Sequence, residues 1–134
     1  MLKAEHIGIA VKSLELSNEV FQKLLGTQPY KTEKVDSEGV TTSFFKIGDT
    51  KIELLEATAS ESAIASFIEK RGEGIHHIAF EVEDIRAEMK RLKEAGFKFT
   101  REEPFKGADN KLVCFLHPKS ANGVLVEICQ EIKK

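Results

Sequence analysis

The stretch Gly74-Ile75-His76-His77-Ile78-Ala79-Phe80-Glu81-Val82 decides how the rest of the chain is read. It alternates apolar side chains with a histidine and then small or polar ones. A strand points successive side chains to opposite faces. Ile78, Phe80 and Val82 therefore oppose His77, Ala79 and Glu81. The same pattern stands near the N-terminus, in Glu5-His6-Ile7-Gly8-Ile9-Ala10-Val11. There Ile7, Ile9 and Val11 face one way, and His6, Gly8 and Ala10 the other. A strand face carrying a histidine beside Gly or Ala leaves room for something other than a side chain.

Working outward, each of these strands opens a similar series. After residues 3–12, Ser13 to Leu25 carries Leu14, Leu16, Val20, Phe21, Leu24 and Leu25 at helical spacing, with Gly26 as a stop. Residues 28–36 read as a polar edge strand and Ser37-Glu38-Gly39 as a turn. Val40 to Ile47 and Lys51 to Glu56 read as a hairpin about Gly48-Asp49. A connection over 58–74 holds a short helix with Ile64, Phe67 and Ile68, which Ser60 is placed to cap. The second series starts at Ile75. Asp84 caps a helix with Ile85, Met89 and Leu92 on one face, stopped by Gly96. Lys98 to Arg101 reads as a short strand, Glu102 to Asn110 as a polar loop, and Lys111 to His117 as a strand. Pro118 to Gly123 reads as a turn and Val124 to Cys129 as the last strand.

The prediction is an α+β fold of two pseudo-twofold-related β-α-β-β-β modules. Module one covers about 1–57, the connection 58–74 and module two about 75–134. Neither half buries its sheet alone, which predicts one domain with a curled, mostly antiparallel sheet. A chain of 134 residues is long enough for such a core.

Charge and composition narrow the function. The net charge of −2, with both signs mixed, gives no basic surface for nucleic acid and none for a membrane. No apolar run is long enough to span a bilayer. Met1 to Glu5 leads straight into the first strand, which predicts no signal peptide. Cys114 and Cys129 sit in apolar strand-like runs, so the expectation is two buried small hydrophobes, no disulfide and a cytoplasmic setting.

The alternation picks out two further residues. Glu53 lies in Lys51-Ile52-Glu53-Leu54-Leu55, and Glu127 in Val124-Leu125-Val126-Glu127-Ile128. Each is a carboxylate inside an apolar strand at the end of its module. Each module thus offers one His near its start, His6 or His77, and one Glu near its end, Glu53 or Glu127. A buried carboxylate is expensive unless something neutralises it. Two imidazoles and two carboxylates suit a divalent ion, with Co²⁺, Ni²⁺, Mn²⁺ and Zn²⁺ all compatible. Taken singly, a strand His is usually hydrogen-bonded structure and a strand Glu usually faces water. The argument rests on their recurrence at matched places. His76 is out of phase with His77 and reads as structural. Lys119, in the turn His117-Pro118-Lys119-Ser120, is a weaker candidate for meeting an anion. Among the sequence motifs there is no glycine-rich phosphate loop, no Cys-x-x-Cys pair and no nucleophile–base pair.

At these residues the chain resembles the vicinal oxygen chelate (glyoxalase/bleomycin resistance) superfamily and, within it, the methylmalonyl-CoA epimerases. The stretches that carry the likeness are His6-Ile-Gly-Ile-Ala-Val, Gly72-Glu-Gly-Ile-His-His-Ile-Ala-Phe-Glu-Val and Phe115-Leu-His-Pro-Lys-Ser-Ala-Asn-Gly-Val-Leu-Val-Glu127. The likeness covers nearly the whole chain. It implies metal ligands His6, His77 and Glu127, with Glu53 at the fourth position. It implies R/S interconversion at the α-carbon of an acyl-CoA thioester, methylmalonyl-CoA, with Glu127 and Glu53 as catalytic carboxylates, and a homodimer. Lys119 and the 106–111 loop are the implied candidates for contacting CoA. One departure stands out. Some epimerases place a catalytic Glu where this chain has Thr42, between Thr41 and Ser43, and none of these is a carboxylate base. The alternatives are glyoxalase I chemistry on a glutathione hemithioacetal and a metal-free binding relative.

Overall fold

The computed structural model describes residues 1–132. The last two residues of module two, 133 and 134, lie outside the described residues. Module one runs β1 (Lys3–Ala10), α1 (Leu14–Leu25), β2 (Lys31–Val35), β3 (Val40–Ile47) and β4 (Thr50–Ala57). Then comes α2 (Ala63–Arg71). Module two runs β5 (Gly74–Glu81), α3 (Ile85–Glu94), β6 (Phe105–Lys106), β7 (Lys111–Phe115) and β8 (Val126–Glu131). The α+β class and the repeated β-α-β-β-β order are those expected from the sequence.

The elements gather into two compact units, one made of Met1–His6 with His77 onward, the other of Ile7–His76. In the first, the strand order is β1-β5-β8-β7-β6; in the second, it is β2-β3-β4. The β2–β3, β3–β4, β6–β7 and β7–β8 pairings are antiparallel, whereas β5 and β8 run parallel.

Local chemistry explains the helix ends. The Ser13 side chain accepts a hydrogen bond from the Leu16 amide, and Gly26 ends α1 in the left-handed conformation at φ 71°. Asp84 caps α3 by accepting from the Ala87 amide. For α2 the cap is Ser62, which accepts from the Ala65 amide, and not the expected Ser60, whose hydroxyl bonds Glu61 instead. Only a residue directly ahead of the first turn can reach the free amides.

In the first unit α3 lies on one face of the sheet. Ile85, Met89 and Leu92 pack there with Val82, Cys114, Leu116 and Ile128. The opposite face holds Ala79, Val113 and Cys129 with Phe105 against them. In the second unit α1 lays Leu14, Phe21 and Leu25 on Val11, Phe45 and Leu54. The other apolar positions of that helix, Leu16, Val20 and Leu24, form an exposed stripe. The α2 residues Ile64, Phe67 and Ile68 cover Ala10, Val40 and Leu55 on the other face.

One strand differs from expectation. Lys98–Arg101 is not a strand; only Phe99 bridges there, to Leu116. The third strand of module two is β6, inside the expected loop. It is two residues long, paired by Phe105 with Val113 and Lys106 with Leu112. Gly107 follows it so closely under Val113 that a Cβ would come within 3.0 Å of that side chain. The last strand also begins at Val126 and not at Val124, which is exposed beyond the turn.

Candidate metal and catalytic site

On the face of the first unit opposite α3, β1, β5 and β8 bring three donors together. Ala79 lies beside Glu127 in the parallel β5–β8 pair, so His77, two residues back, is on the same face as that carboxylate. Ala79 is fully buried and small, and it leaves space between the polar groups. The Nε2 atoms of His6 and His77 are 3.0 Å apart. Glu127 Oε1 lies 3.6 Å from the first and 3.4 Å from the second. All three residues are buried.

These separations are those of ligands sharing one ion. Nitrogen and oxygen donors sit about 2.0–2.2 Å from a zinc-sized cation, so two of them at ordinary angles are about 3.0–3.5 Å apart. Nothing about the donor set opposes a divalent metal: two imidazoles and a carboxylate are borderline-to-hard ligands. His6, His77 and Glu127 together could hold such an ion.

The electrostatics agree. Burial alone would raise the Glu127 carboxyl. The His6 imidazole, through charge and a hydrogen bond, and the charge of His77 outweigh that and hold it below the ordinary carboxylate range. Glu127 is therefore ionised at neutral pH, the form needed of a ligand or a base.

Each histidine is oriented by a different neighbour. His6 Nδ1 meets Glu5 Oε1 at 2.9 Å. An ionised carboxylate only accepts, so Nδ1 carries a hydrogen, and Nε2, once it gives up its own proton as ligation requires, presents its lone pair. The His77 ring instead meets Phe115 edge-to-face at 5.9 Å between centroids. Phe115 is stacked on Phe105, and the Arg101 guanidinium lies 3.9 Å from the Phe105 ring centre.

Glu5 and Lys111 are functional-site neighbours that the sequence reading missed. Glu5 is 1% exposed, although strict alternation would turn it away from His6. The available signal was a carboxylate directly before the strand histidine. Lys111, 3% exposed, has Nζ 4.0 Å from Glu5, Glu81 and Glu131. It is enclosed among carboxylates, which removes it from the expected CoA-contacting loop; Lys106 remains exposed there, as does Lys119 in its turn.

Glu53 is buried in β4 of the second unit, paired across the ladder with Phe44. Two positions further along, Leu55 pairs with Thr42. The Thr42 hydroxyl is buried and has no hydrogen-bond partner among the described residues. His76 belongs to that unit as well. Its ring packs edge-to-face on Phe67 at 5.0 Å, and burial lowers its pKa to about 4. The structural role expected for it fits this setting. Both cysteines are free and buried. Burial, and then the charge of Glu127, raises the Cys114 thiol to about 12, and burial raises Cys129 further, so neither is a nucleophile at neutral pH.

The model of the Glyoxalase/Bleomycin resistance protein/Dioxygenase superfamily matches residues 5–115. The chain belongs to this superfamily. Within it, the chain is 45% identical over 130 residues to an ethylmalonyl-CoA/methylmalonyl-CoA epimerase of Cereibacter sphaeroides, covering 96% of this chain and 97% of that protein. It is 39% identical to the mitochondrial methylmalonyl-CoA epimerase of Homo sapiens, covering 96% of this chain and 73% of that protein. A substituted Streptomyces coelicolor methylmalonyl-CoA epimerase, solved in complex with 2-nitronate-propionyl-CoA, superposes with a TM-score of 0.93 at 33% identity, covering 98% of this chain and 95% of that one. The superfamily membership and these likenesses agree with the family expected from the strand motifs.

Proposed function

We propose that the protein is a metal-dependent epimerase that interconverts the R and S forms of methylmalonyl-CoA. The observation that carries the reading is the convergence of His6, His77 and Glu127 in a chain that is similar over nearly its whole length to named epimerases. His6, His77 and Glu127 are the proposed ligands, and Glu53 the fourth by its matched place in the first module. The ion would be Co²⁺, Ni²⁺, Mn²⁺ or Zn²⁺. When bound, it supplies Lewis-acid stabilisation of the charge that develops on the thioester oxygen.

The chain's own groups move the protons. Glu127, ionised and buried, takes the α-proton from one face. The electron pair of the broken C–H bond delocalises into the thioester as an enolate. A proton returned from the other face inverts the centre, and Glu53, which would be protonated and off the ion for that step, is the proposed donor, because Thr42 cannot serve. Lys106 and Lys119 are exposed cations suited to CoA phosphates.

Glyoxalase I chemistry is not retained, since the named relatives are epimerases. A metal-free binding role is disfavoured by the converging donors. No described helix is long and apolar enough to cross a membrane. We read the protein as a cytoplasmic homodimer formed by one domain per chain, with no nucleic-acid partner; light scattering on the purified protein checks the dimer. The test of the chemistry is Glu127→Gln. Epimerisation should fall by at least 100-fold with the far-UV circular dichroism unchanged. Turnover near wild type would remove Glu127 from the mechanism.

A further inference from the structure

We propose that Glu5, neutralised by Lys111, is a positioning residue that sets His6 for metal capture. The inference rests on the metal-site reading above and adds residues that do not themselves contact the ion. Glu5 Oε1 is 2.9 Å from His6 Nδ1. Its other oxygen, Oε2, is 4.0 Å from Lys111 Nζ. Glu5 and Lys111 are both almost wholly removed from water. Burying two charges is costly, and a pair this deep adds little stability compared with apolar groups of the same shape. What the arrangement does accomplish is directional. The acceptor at Nδ1 fixes which nitrogen of His6 is protonated, holds the ring plane, and makes Nε2 a stronger donor toward the position that His77 and Glu127 share.

Lys111 completes the arrangement. It projects from β7 where that strand pairs with Glu131 of β8, and its ammonium stands equally near Glu5, Glu81 and Glu131. Without it, Glu5 would add an uncompensated negative charge beside Glu127. With it, the Glu5 side chain has a cation on one oxygen and the His6 ring on the other. The His77 ring meets the edge of Phe115.

The test separates positioning from simple stabilisation. In Glu5→Leu/Lys111→Met both deeply buried charges are replaced by apolar side chains of similar length, and Glu81 and Glu131, which also face Lys111, keep access to solvent. Glu5→Gln keeps an acceptor at Nδ1 and loses the charge. Co²⁺ is the probe, with affinity read by chelator competition, the visible ligand-field spectrum recorded, and Tm measured on the metal-free proteins. The double variant should keep a metal-free Tm within a few degrees of wild type yet bind Co²⁺ about 10–100-fold more weakly with an altered spectrum. Glu5→Gln should fall between it and wild type. Wild-type Co²⁺ affinity in both variants overturns the positioning role and leaves the metal site standing. Absence of Co²⁺ binding by the wild-type protein overturns the metal site itself, and this inference with it.

Discussion

Strands β1 and β5 carry the same pattern, a histidine followed by alternating apolar and small residues, yet the residue before each histidine differs. In β1 it is Glu5, buried and hydrogen-bonded to His6. In β5 it is His76, packed on Phe67 and kept neutral by burial. The repeat preserves the donor and lets its support vary. One histidine is hydrogen-bonded to a carboxylate, and the other meets the edge of Phe115. The face that receives the donor is set by strand geometry. The group that meets it differs in origin, the preceding residue of the same strand for His6 and a residue of β7 for His77.

The sharpest way to break this comparison is to remove each histidine of the adjacent pair in turn. His77→Gln should lose tight Co²⁺ binding, by more than 100-fold in a competition titration. His76→Gln should retain it within a few-fold. Equal losses would mean that position on the strand, and not the shared face, decides which histidine is a ligand.

A smaller effect separates the two by pH. The folded pKa of His76, about 4, lies below its ordinary value of 6.5. Between those values the unfolded chain binds the proton more readily. Stability from keeping His76 neutral is therefore complete above pH 6.5 and is lost as the pH falls toward 4. The loss is on the order of 2 kcal/mol, allowing for the partial exposure of the ring. In urea titrations of the metal-free protein, His76→Gln should show a shallower decline than wild type across that window. Parallel curves would contradict the burial argument.

The smallest effect concerns the second unit. Thr42 carries a buried hydroxyl without a partner among the described residues. Thr42→Val keeps the shape and removes the unpaired group, and it should stabilise the metal-free protein by about 1 kcal/mol. A drop in Tm would mean that the hydroxyl is satisfied after all.

Much of this was legible in the sequence because strand alternation and helix caps are local. Gly26, Asp84 and the strand faces of His6, His77 and Glu127 could be read from a few residues each. What was missed depends on contacts far apart in the chain. Strand β6 is two residues of a Pro- and Gly-containing loop, too short for any period, and only its pairing with β7 makes it a strand. Ser60 and Ser62 are alike in sequence, and the path of the chain into α2 chooses between them. Glu5 was hidden by the alternation rule itself, which places consecutive side chains on opposite faces. Lys111 looked like a loop cation because its carboxylate neighbours come from β1, β5 and β8. The fourth donor, Glu53, was read from the repeat alone and keeps that standing.

The most direct test of the central claim is proton exchange at the substrate's α-carbon. The metal-loaded protein is incubated with one epimer of methylmalonyl-CoA in D₂O and followed by NMR. The account predicts metal-dependent gain of deuterium at that carbon together with appearance of the other epimer. No exchange with Co²⁺, Ni²⁺, Mn²⁺ or Zn²⁺, in protein that demonstrably binds the ion, would contradict it.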